Sequence, residues 1–507
     1  MKLHDYQLRA AEWLRGKPSA ILAVEMGLGK TATVLHYIAT TAPATCLIVA
    51  PKRVAETVWQ QEAAKWGLSD VADRMVIVKG EKDKRRKALD DTSRPYKIIG
   101  RDNIADVKGW RTDLLILDEL TSFKNLTSQR SKSIASVTAA QKIGLTGTFL
   151  ANGAIDIFGQ CHAVGLSRRL GRNFFSWRAE NFRDIMHGSG YQYSIWRPER
   201  TLDEILRPIK TAIFTLTAAD YLTIPPVTEV EHPVELTAEE RDAYDGIDAF
   251  LAGTIGGEVV TTDDKVKFVK LQTACDGFVY VDDEAAGGRR AVGFETRSKA
   301  AEVVEFCRRA AAEGEQVLLF YAFVEERDHL VEKLKEAKVP ATDVKSEGAL
   351  DKWAKGEAGV LLAHPASAGH GLNLQGGGRL IVWSSVTYNY EYFAQANARL
   401  ARQGQTKPVE IHYFTARNTC EERVRRALSR KAAEQEIFTT LTKKNKKKIT
   451  TMHISVNSVT AEFKTAGDLT EVTISRRLEL SFVDFMTNNN LSIKNFQRNA
   501  FANRVII

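Results

Sequence analysis

The stretch Ala20-Ile21-Leu22-Ala23-Val24-Glu25-Met26-Gly27-Leu28-Gly29-Lys30-Thr31 decides how this chain is read. An apolar run that passes straight into a glycine-bearing turn predicts a strand, a tight loop and the start of a helix. Such a junction aims backbone N–H groups and the positive end of a helix at one anion. In that geometry Met26, Gly27, Leu28, Gly29, Lys30 and Thr31 cradle phosphates. Lys30 would reach the β- and γ-phosphates, and the Thr31 hydroxyl would ligate Mg²⁺. ATP or a related nucleotide is the expected ligand. The full pattern asks for glycine at position 24, where valine stands, so the loop is a relaxed form of it.

About ninety residues on comes Leu114-Leu115-Ile116-Leu117-Asp118-Glu119. Four consecutive apolar residues suit a strand buried on both faces of a parallel sheet, and the two carboxylates fall at its C-terminal end, where such sheets hold ligands. Asp118 is then the second holder of Mg²⁺, and Glu119 orients or deprotonates an attacking water. Alone, an Asp-Glu pair after a strand also reads as the start of a solvated loop. Following a phosphate loop, it is the expected second half of an ATP-hydrolysing site.

The pattern around these two runs gives the fold class. Strand-like runs at Ile21–Val24, Cys46–Ala50, Met75–Val78, Tyr96–Ile99, Leu114–Leu117 and Lys142–Leu145 alternate with helix-period stretches, which is the rhythm of a parallel sheet covered by helices. A second series follows at Val317–Phe320, Gly359–Ala363, Arg379–Trp383 and Val409–Tyr413, without another Gly-Lys-Thr loop. The expectation is an α/β protein of two RecA-like lobes in tandem, with a helical insertion and a small C-terminal β-rich module. The boundaries read as 1–155 for the ATP-binding lobe, 156–225 for its helical and aromatic insertion and 226–297 for a bridging segment. They continue as 298–440 for the second lobe, 441–451 for a basic linker and 452–507 for the module. The linker contains Lys443-Lys444-Asn445-Lys446-Lys447-Lys448, either a grip on phosphates or a solvated tether. Val472, Ile474, Leu478, Leu480 and Phe482 keep a two-residue period that suggests β-structure, in a tethered module or a tail docked on the second lobe.

Composition sets outer limits. At 507 residues the chain suits two or three domains. Lys and Arg outnumber Asp and Glu by 71 to 63, a mild tilt toward a polyanionic partner. Five cysteines far apart form no metal-type or redox-type pair, and nowhere do 18 apolar residues run together. These features point to a soluble cytoplasmic protein with reduced thiols and no membrane partner.

With both halves laid out, the chain resembles the Swi/Snf family of superfamily 2 helicase-like DNA translocases over roughly residues 3 to 440. Leu3-His4-Asp5-Tyr6-Gln7 resembles the adenine-sensing motif, and this likeness places Gln7 against the base. Glu25 to Thr31 resembles the family phosphate loop, with Val24 where aspartate is usual. Ala50-Pro51-Lys52-Arg53 with Trp59, Glu62 and Trp66 resembles a motif whose basic residues lie along nucleic acid. For the two tryptophans, core packing is the stronger reading than base stacking. Leu117-Asp118-Glu119-Leu120 followed by Phe123-Lys124-Asn125 resembles the acidic box. Leu145-Thr146-Gly147-Thr148 resembles the motif that links ATP state to strand grip, with Phe149 in place of proline and Ala151 in place of glutamine. In the second half, Val317-Leu318-Leu319-Phe320 and Ala368-Gly369-His370-Gly371-Leu372-Asn373-Leu374 resemble two further motifs. Gln395-Ala396, Arg399, Arg402, Gly404 and Gln405 resemble the last one. At 386–390 only Asn389 of a usual Trp-Asn-Pro remains.

The resemblance implies that Arg399 and Arg402 reach across a cleft to the γ-phosphate as arginine fingers. It also implies contacts to nucleic acid from Lys52, Arg53, Lys124, Thr146, Thr148, Ser367, Gly369 and Asn373. The implied activity is a DNA-dependent ATPase that moves on double-stranded DNA, with ATP and Mg²⁺ as cofactors. A strand-separating DNA or RNA helicase and a nucleic-acid-binding scaffold without turnover are the alternatives. Short connections suggest a compact bacterial or bacteriophage member, and the C-terminal module suggests a possible protein partner. Between 173 and 200, Phe174, Phe175, Trp177, Arg178, Phe182, Arg183, Tyr191, Tyr193, Trp196 and Arg197 form an aromatic and basic patch. It reads as the core of a helical protrusion in preference to a base-stacking surface.

Overall fold

The structure, a computed structural model, describes residues 3–185, 196–222, 225–262, 266–283, 288–368, 374, 376–402 and 404–443, and further on 450–456, 459–466, 469–474, 497–498 and 504–506. The chain divides into two compact units, Met1–Thr442 and Lys443–Ile507.

The first unit is built on two all-parallel sheets. The first sheet contains β1 (Ser19–Val24), β2 (Cys46–Ala50), β3 (Met75–Val78), β4 (Tyr96–Gly100), β5 (Arg111–Asp118), β6 (Thr138–Thr146) and β7 (Ile213–Leu216), in the order β3-β4-β2-β5-β6-β1-β7. The second contains β8 (Val227–Val234), β9 (Val317–Phe320), β10 (Ala341–Asp343), β11 (Val360–Ala363), β12 (Leu380–Trp383) and β13 (Val409–Ala416), in the order β8-β13-β12-β9-β11-β10.

Burial explains why these segments are strands. Every residue of β2, β9, β11 and β12 is buried, as expected where helices cover both faces of a sheet. Successive side chains go to opposite faces. On β9, Leu318 and Phe320 join one apolar cluster while Val317 and Leu319 join another. The first sheet divides likewise, with Ile21, Leu47 and Leu115 on one face and Leu22, Ile48 and Ile116 on the other. Among the helices, α1 (Asp5–Trp13), α2 (Lys30–Thr41), α3 (Lys52–Thr57), α4 (Tyr390–Asn397) and α5 (Cys420–Thr442) position the site. No helix among the described residues is long and apolar enough to cross a membrane.

Strand pairing ties two of the expected segments to the lobes beside them. Beyond residue 155, β7 pairs in parallel with β1 at the edge of the first sheet. The insertion at 156–225 therefore returns a strand to the lobe it leaves. Within the segment 226–297, β8 runs along β13 in a parallel register from Val227↔Val409 to Val234↔Ala416. Tyr244, Ile247, Leu271 and Cys275 of the same segment share an apolar cluster with Ala416 and Cys420. A buried ion pair ties the segment further, Lys299 Nζ lying 2.6 Å from Asp276 and also pairing with Glu421. Breaking such a pair strands a charge away from water, so the segment and the lobe hold together as one body.

Helix α5 joins the two lobes physically. At 1.5 Å per residue its 23 residues extend about 34 Å. Val424 and Leu428 near its start lie in the second lobe's core, while Phe438 near its end is fully buried in the core of the first. Thr442 and Thr215 hydroxyls meet at 2.7 Å.

The second unit is described by its backbone alone. Strands at 450–456, 459–466 and 469–474 form an antiparallel meander, extended by 504–506 and 497–498. The β-character expected at Val472 and Ile474 falls on the third strand. The lysines at 444 and 446–448, and Leu478, Leu480 and Phe482, lie outside the described residues.

Candidate active site between the two sheets

Strand β1 ends at Val24 and α2 begins at Lys30, and the turn between them is shaped by two glycines with left-handed backbones, Gly27 (φ 84°) and Gly29 (φ 72°). Gly29 is also constrained from outside, since a Cβ there would come within 2.2 Å of Gln7 Nε2. Gln7 on α1 is 3% exposed and holds the loop from beneath. Its amide N–H donates to the Leu28 carbonyl at 3.2 Å, and its Oε1 accepts from the His4 N–H at 2.9 Å. Lys30 Nζ donates to the Val24 carbonyl at 2.9 Å. Burial lowers its pKa, against the opposing pull of Glu119, Asp118 and Glu25.

Asp118 closes β5 and is buried. The Trp59 Nε1–H donates to its Oδ2 at 3.1 Å, and the Glu119 N–H donates to its Oδ1 at 3.1 Å. Trp59 is therefore a core residue with a second task, since its indole fixes the carboxylate. Glu119 takes a left-handed backbone (φ 53°), a conformation that costs about 1–3 kcal/mol in a non-glycine residue and concentrates at functional sites. Its Oε2 is buried and has no hydrogen-bond partner among the described residues.

Burial and the neighbouring Glu119 push the Asp118 carboxyl up to about 7. The sign follows directly. A carboxyl raised in the folded state favours its protonated form, and the stability this contributes is lost as pH rises through about 7. If Asp118 holds the divalent cation of MgATP, it must do so in its ionised form, and kcat/KM for MgATP should then fall about tenfold per pH unit below about 7. Steady-state rates against pH would check this, and an acid limb centred at the ordinary carboxylate value would contradict it.

Beyond β6 the loop Thr146-Gly147-Thr148 lies against the phosphate loop. A Cβ on Gly147 would sit 3.1 Å from Met26 Cγ and 3.5 Å from Lys30 Nζ. Both threonines are buried, and the Thr148 N–H donates to Thr146 Oγ1 at 3.1 Å.

The second lobe supplies the other wall. Arg399 follows α4, and its pKa is lowered to about 10 by burial, with Arg402 and Arg53 adding to the shift and Glu119 opposing it. Arg399 in turn acts on Lys30. Three charged groups from two separate sheets, Lys30, Glu119 and Arg399, therefore stand within electrostatic reach of one another. Burial also lowers the pKa of Arg402. The cleft beside the phosphate loop is lined by Glu25, Met26 and Thr148 on one side and by Tyr390, Ala394 and Ala398 on the other.

The described residues expected along nucleic acid at 52, 53, 124 and 367 each lie shortly after the C-terminal end of a strand. Lys52 and Arg53 open α3 after β2 and are exposed. Lys124 follows β5 and pairs with Asp156 at 3.7 Å. Ser367 follows β11, its N–H donating to the His364 carbonyl at 2.9 Å. Gly369 and Asn373 lie outside the described residues, as do Tyr191 and Tyr193 of the aromatic patch. In the remainder of that patch Trp177 and Phe182 are buried in the first lobe's core. Arg178 lies over the Trp196 ring at 3.9 Å, and Phe175 is 71% exposed.

The residues present fit ATP with Mg²⁺. Asp118 carboxylate and Thr31 hydroxyl are hard oxygen donors of the kind Mg²⁺ prefers, in the small number that leaves room for phosphates and water. The two left-handed glycines turn successive backbone N–H groups into an anion cradle.

Residues 6–275, just over half of the chain, match the family profile described as the SNF2-related domain. The chain belongs to the SNF2-related family. This is the Swi/Snf branch of the superfamily 2 ATPases, and its two parallel sheets are the RecA-like lobes of that fold. Protein p41 of Acyrthosiphon pisum secondary endosymbiont phage 1 is 28% identical over 439 residues, covering 82% of this chain and 92% of that one. Chromodomain-helicase-DNA-binding protein 1 of Gallus gallus is 25% identical over 461 residues, covering 83% of this chain but only 26% of that protein. A solved structure of the Sulfolobus solfataricus SWI2/SNF2 ATPase core in complex with dsDNA aligns at 20% identity with a TM-score of 0.40, covering 87% of this chain and 93% of that one.

Within the SNF2-related pattern, the departure at Phe149 has a structural partner. Its ring packs on Phe438 of α5 at 5.0 Å, and the next residue's N–H, from Leu150, donates to Gln435 Oε1 at 2.9 Å. The family motif that follows the two threonines here serves as the socket for the helix arriving from the second lobe. Sequence reasoning overlooked Thr121 and Glu391, which meet across the lobes, because nothing in their local spacing marks them.

Proposed function

We propose that the chain is an ATP-driven motor that translocates along double-stranded DNA by opening and closing its two lobes. The observation that carries this reading is the convergence of Arg399 from the second lobe on Lys30 and Glu119 of the first. A site completed by a residue from a second lobe turns over only when the cleft is shut, so hydrolysis and closure become one event.

In this reading the loop Met26 to Thr31 binds the triphosphate, Lys30 reaches the β- and γ-phosphates, and Gln7 fixes the loop while serving the adenine side. Thr31 and Asp118 hold Mg²⁺, which when bound neutralises charge on the transferring phosphoryl group. Glu119 orients the attacking water and accepts its proton. Arg399 and Arg402 stabilise the charge that develops in the transition state. Thr146 and Thr148 flank Gly147, which lies against Met26 and Lys30, and report the state of the nucleotide to the nucleic-acid-binding residues. Lys52, Arg53, Lys124, Ser367, Gly369 and Asn373 contact the phosphate backbone, which positions a protein without reading sequence.

The test is ATP hydrolysis with and without duplex DNA, alongside duplex affinity over a range of salt. Duplex should stimulate turnover, and log affinity should fall against log salt with a slope of about −0.9 per phosphate contact. A rate indifferent to DNA would defeat the reading, and a flat salt response would take the basic residues off the track. Unwinding of forked substrates would move the assignment to a strand-separating helicase.

A further inference from the structure

We infer that Glu391 is a positioning residue that seats the arginine-bearing helix on the acidic box; this rests on the motor reading above. Glu391 is 8% exposed and its Oε1 accepts a hydrogen bond from Thr121 Oγ1 at 2.6 Å. The two residues belong to different lobes. Thr121 is buried in the short turn Leu120–Phe123, which begins at the residue after Glu119. Glu391 stands in the first turn of α4, whose N-terminus is closed by Asn389, the Oδ1 accepting from the N–H groups of Glu391 and Tyr392 at 3.0 and 3.3 Å.

The consequence is geometric. Arg399 follows Glu391 by eight residues on nearly the same rigid piece, about 12 Å along a helix axis. Fixing Glu391 on Thr121 sets where α4 starts against the acidic box and therefore where Arg399 and Arg402 arrive. The same turn of chain carries Glu119 in its left-handed conformation, so one contact registers the water-activating carboxylate and the arginines to each other. Two carboxylates, Glu119 and Glu391, are kept near enough to repel. A residue chosen for packing alone would not bring that repulsion into the site. What the position requires is a hydrogen-bond acceptor at the end of a side chain of this length.

The test compares four single variants in the full chain. Glu391→Ala and Thr121→Val should each lower DNA-stimulated kcat about 10- to 100-fold, because misplacing a reacting group by about 1 Å costs about 10²-fold. Affinity for a non-hydrolysed ATP analogue should stay within about twofold, since the lost interaction belongs to the transition state. Glu391→Gln and Thr121→Ser, which keep an acceptor and a donor, should restore most of the rate. In an Arg399→Ala background, Glu391→Ala should subtract clearly less than it does from the wild type, the remainder acting through Arg402, as expected for groups acting through one another. Circular dichroism of each variant confirms folding. An active wild type equalled by Glu391→Ala and Thr121→Val would overturn this inference alone, as would an undiminished Glu391→Ala penalty in the Arg399→Ala background. A wild type that hydrolyses no ATP with or without duplex would overturn the motor reading and the inference together.

Discussion

Arg399→Ala is expected to lower kcat by about 10³- to 10⁵-fold, equivalent to roughly 4 to 7 kcal/mol of barrier, while MgATP still binds. In the proposed motor, nearly all contacts to the ground-state nucleotide would come from the first lobe, in Met26 to Thr31 and Asp118. The guanidinium would arrive from the second lobe and meet the phosphate only as charge develops. Burial lowers its pKa, but to about 10, so it remains a cation at neutral pH. It is held there by opposite charge from Glu119 in a site that also contains Lys30 and a neighbouring Arg402. Crowding three cations into one buried place is unfavourable without a polyanion to balance them. Arg399→Lys should recover little, because an ammonium keeps the charge but not the planar fork of donors. Steady-state ATPase rates and equilibrium binding of a fluorescent ATP analogue check both halves of the expectation. Near-wild-type turnover by Arg399→Ala would remove the reason for tying hydrolysis to lobe closure.

Glu119→Gln should trap the enzyme with ATP bound, turnover dropping about 10²- to 10⁴-fold, the usual contribution of a positioned general base. Glutamine has the same shape, so the left-handed backbone at this position imposes the same strain on both, and the fold should be unaffected. What changes is the buried Oε2, which finds no hydrogen-bond partner among the described residues. As an oxygen it can accept a proton from water, and as an amide nitrogen it cannot. The trapped state should keep the lobes closed on duplex DNA, giving tighter retention in the presence of ATP than without it. Single-turnover hydrolysis and DNA retention measured on one preparation check this. Wild-type turnover would place the water-activating group elsewhere.

How much of this was legible in the sequence depends on where each segment lies. The central strands β2, β9, β11 and β12 were read directly, since burial on both faces demands an unbroken apolar run. Of the two large sheets' strands, three were missed, β7, β8 and β10, and all three lie at sheet edges. An edge strand pairs on one side only and tolerates polar residues and proline. Thus β8 reads Val-Thr-Glu-Val-Glu-His-Pro-Val and is largely exposed, and β10 has only three residues. Gln7 was read for its likeness to a base-contacting residue, whereas its position shows a second task as the brace beneath Leu28.

The sequence by itself determined the chemistry, because the glycine turn, the lysine and the paired carboxylates need only local backbone geometry, and that geometry is written in a few consecutive residues. The tertiary structure decided the mechanics. Trp59 on Asp118, Phe438 in the socket of Phe149 and Glu391 on Thr121 join residues from 59 to 289 positions apart. Such contacts arise from how two sheets and one long helix pack, and no periodicity along the chain encodes them.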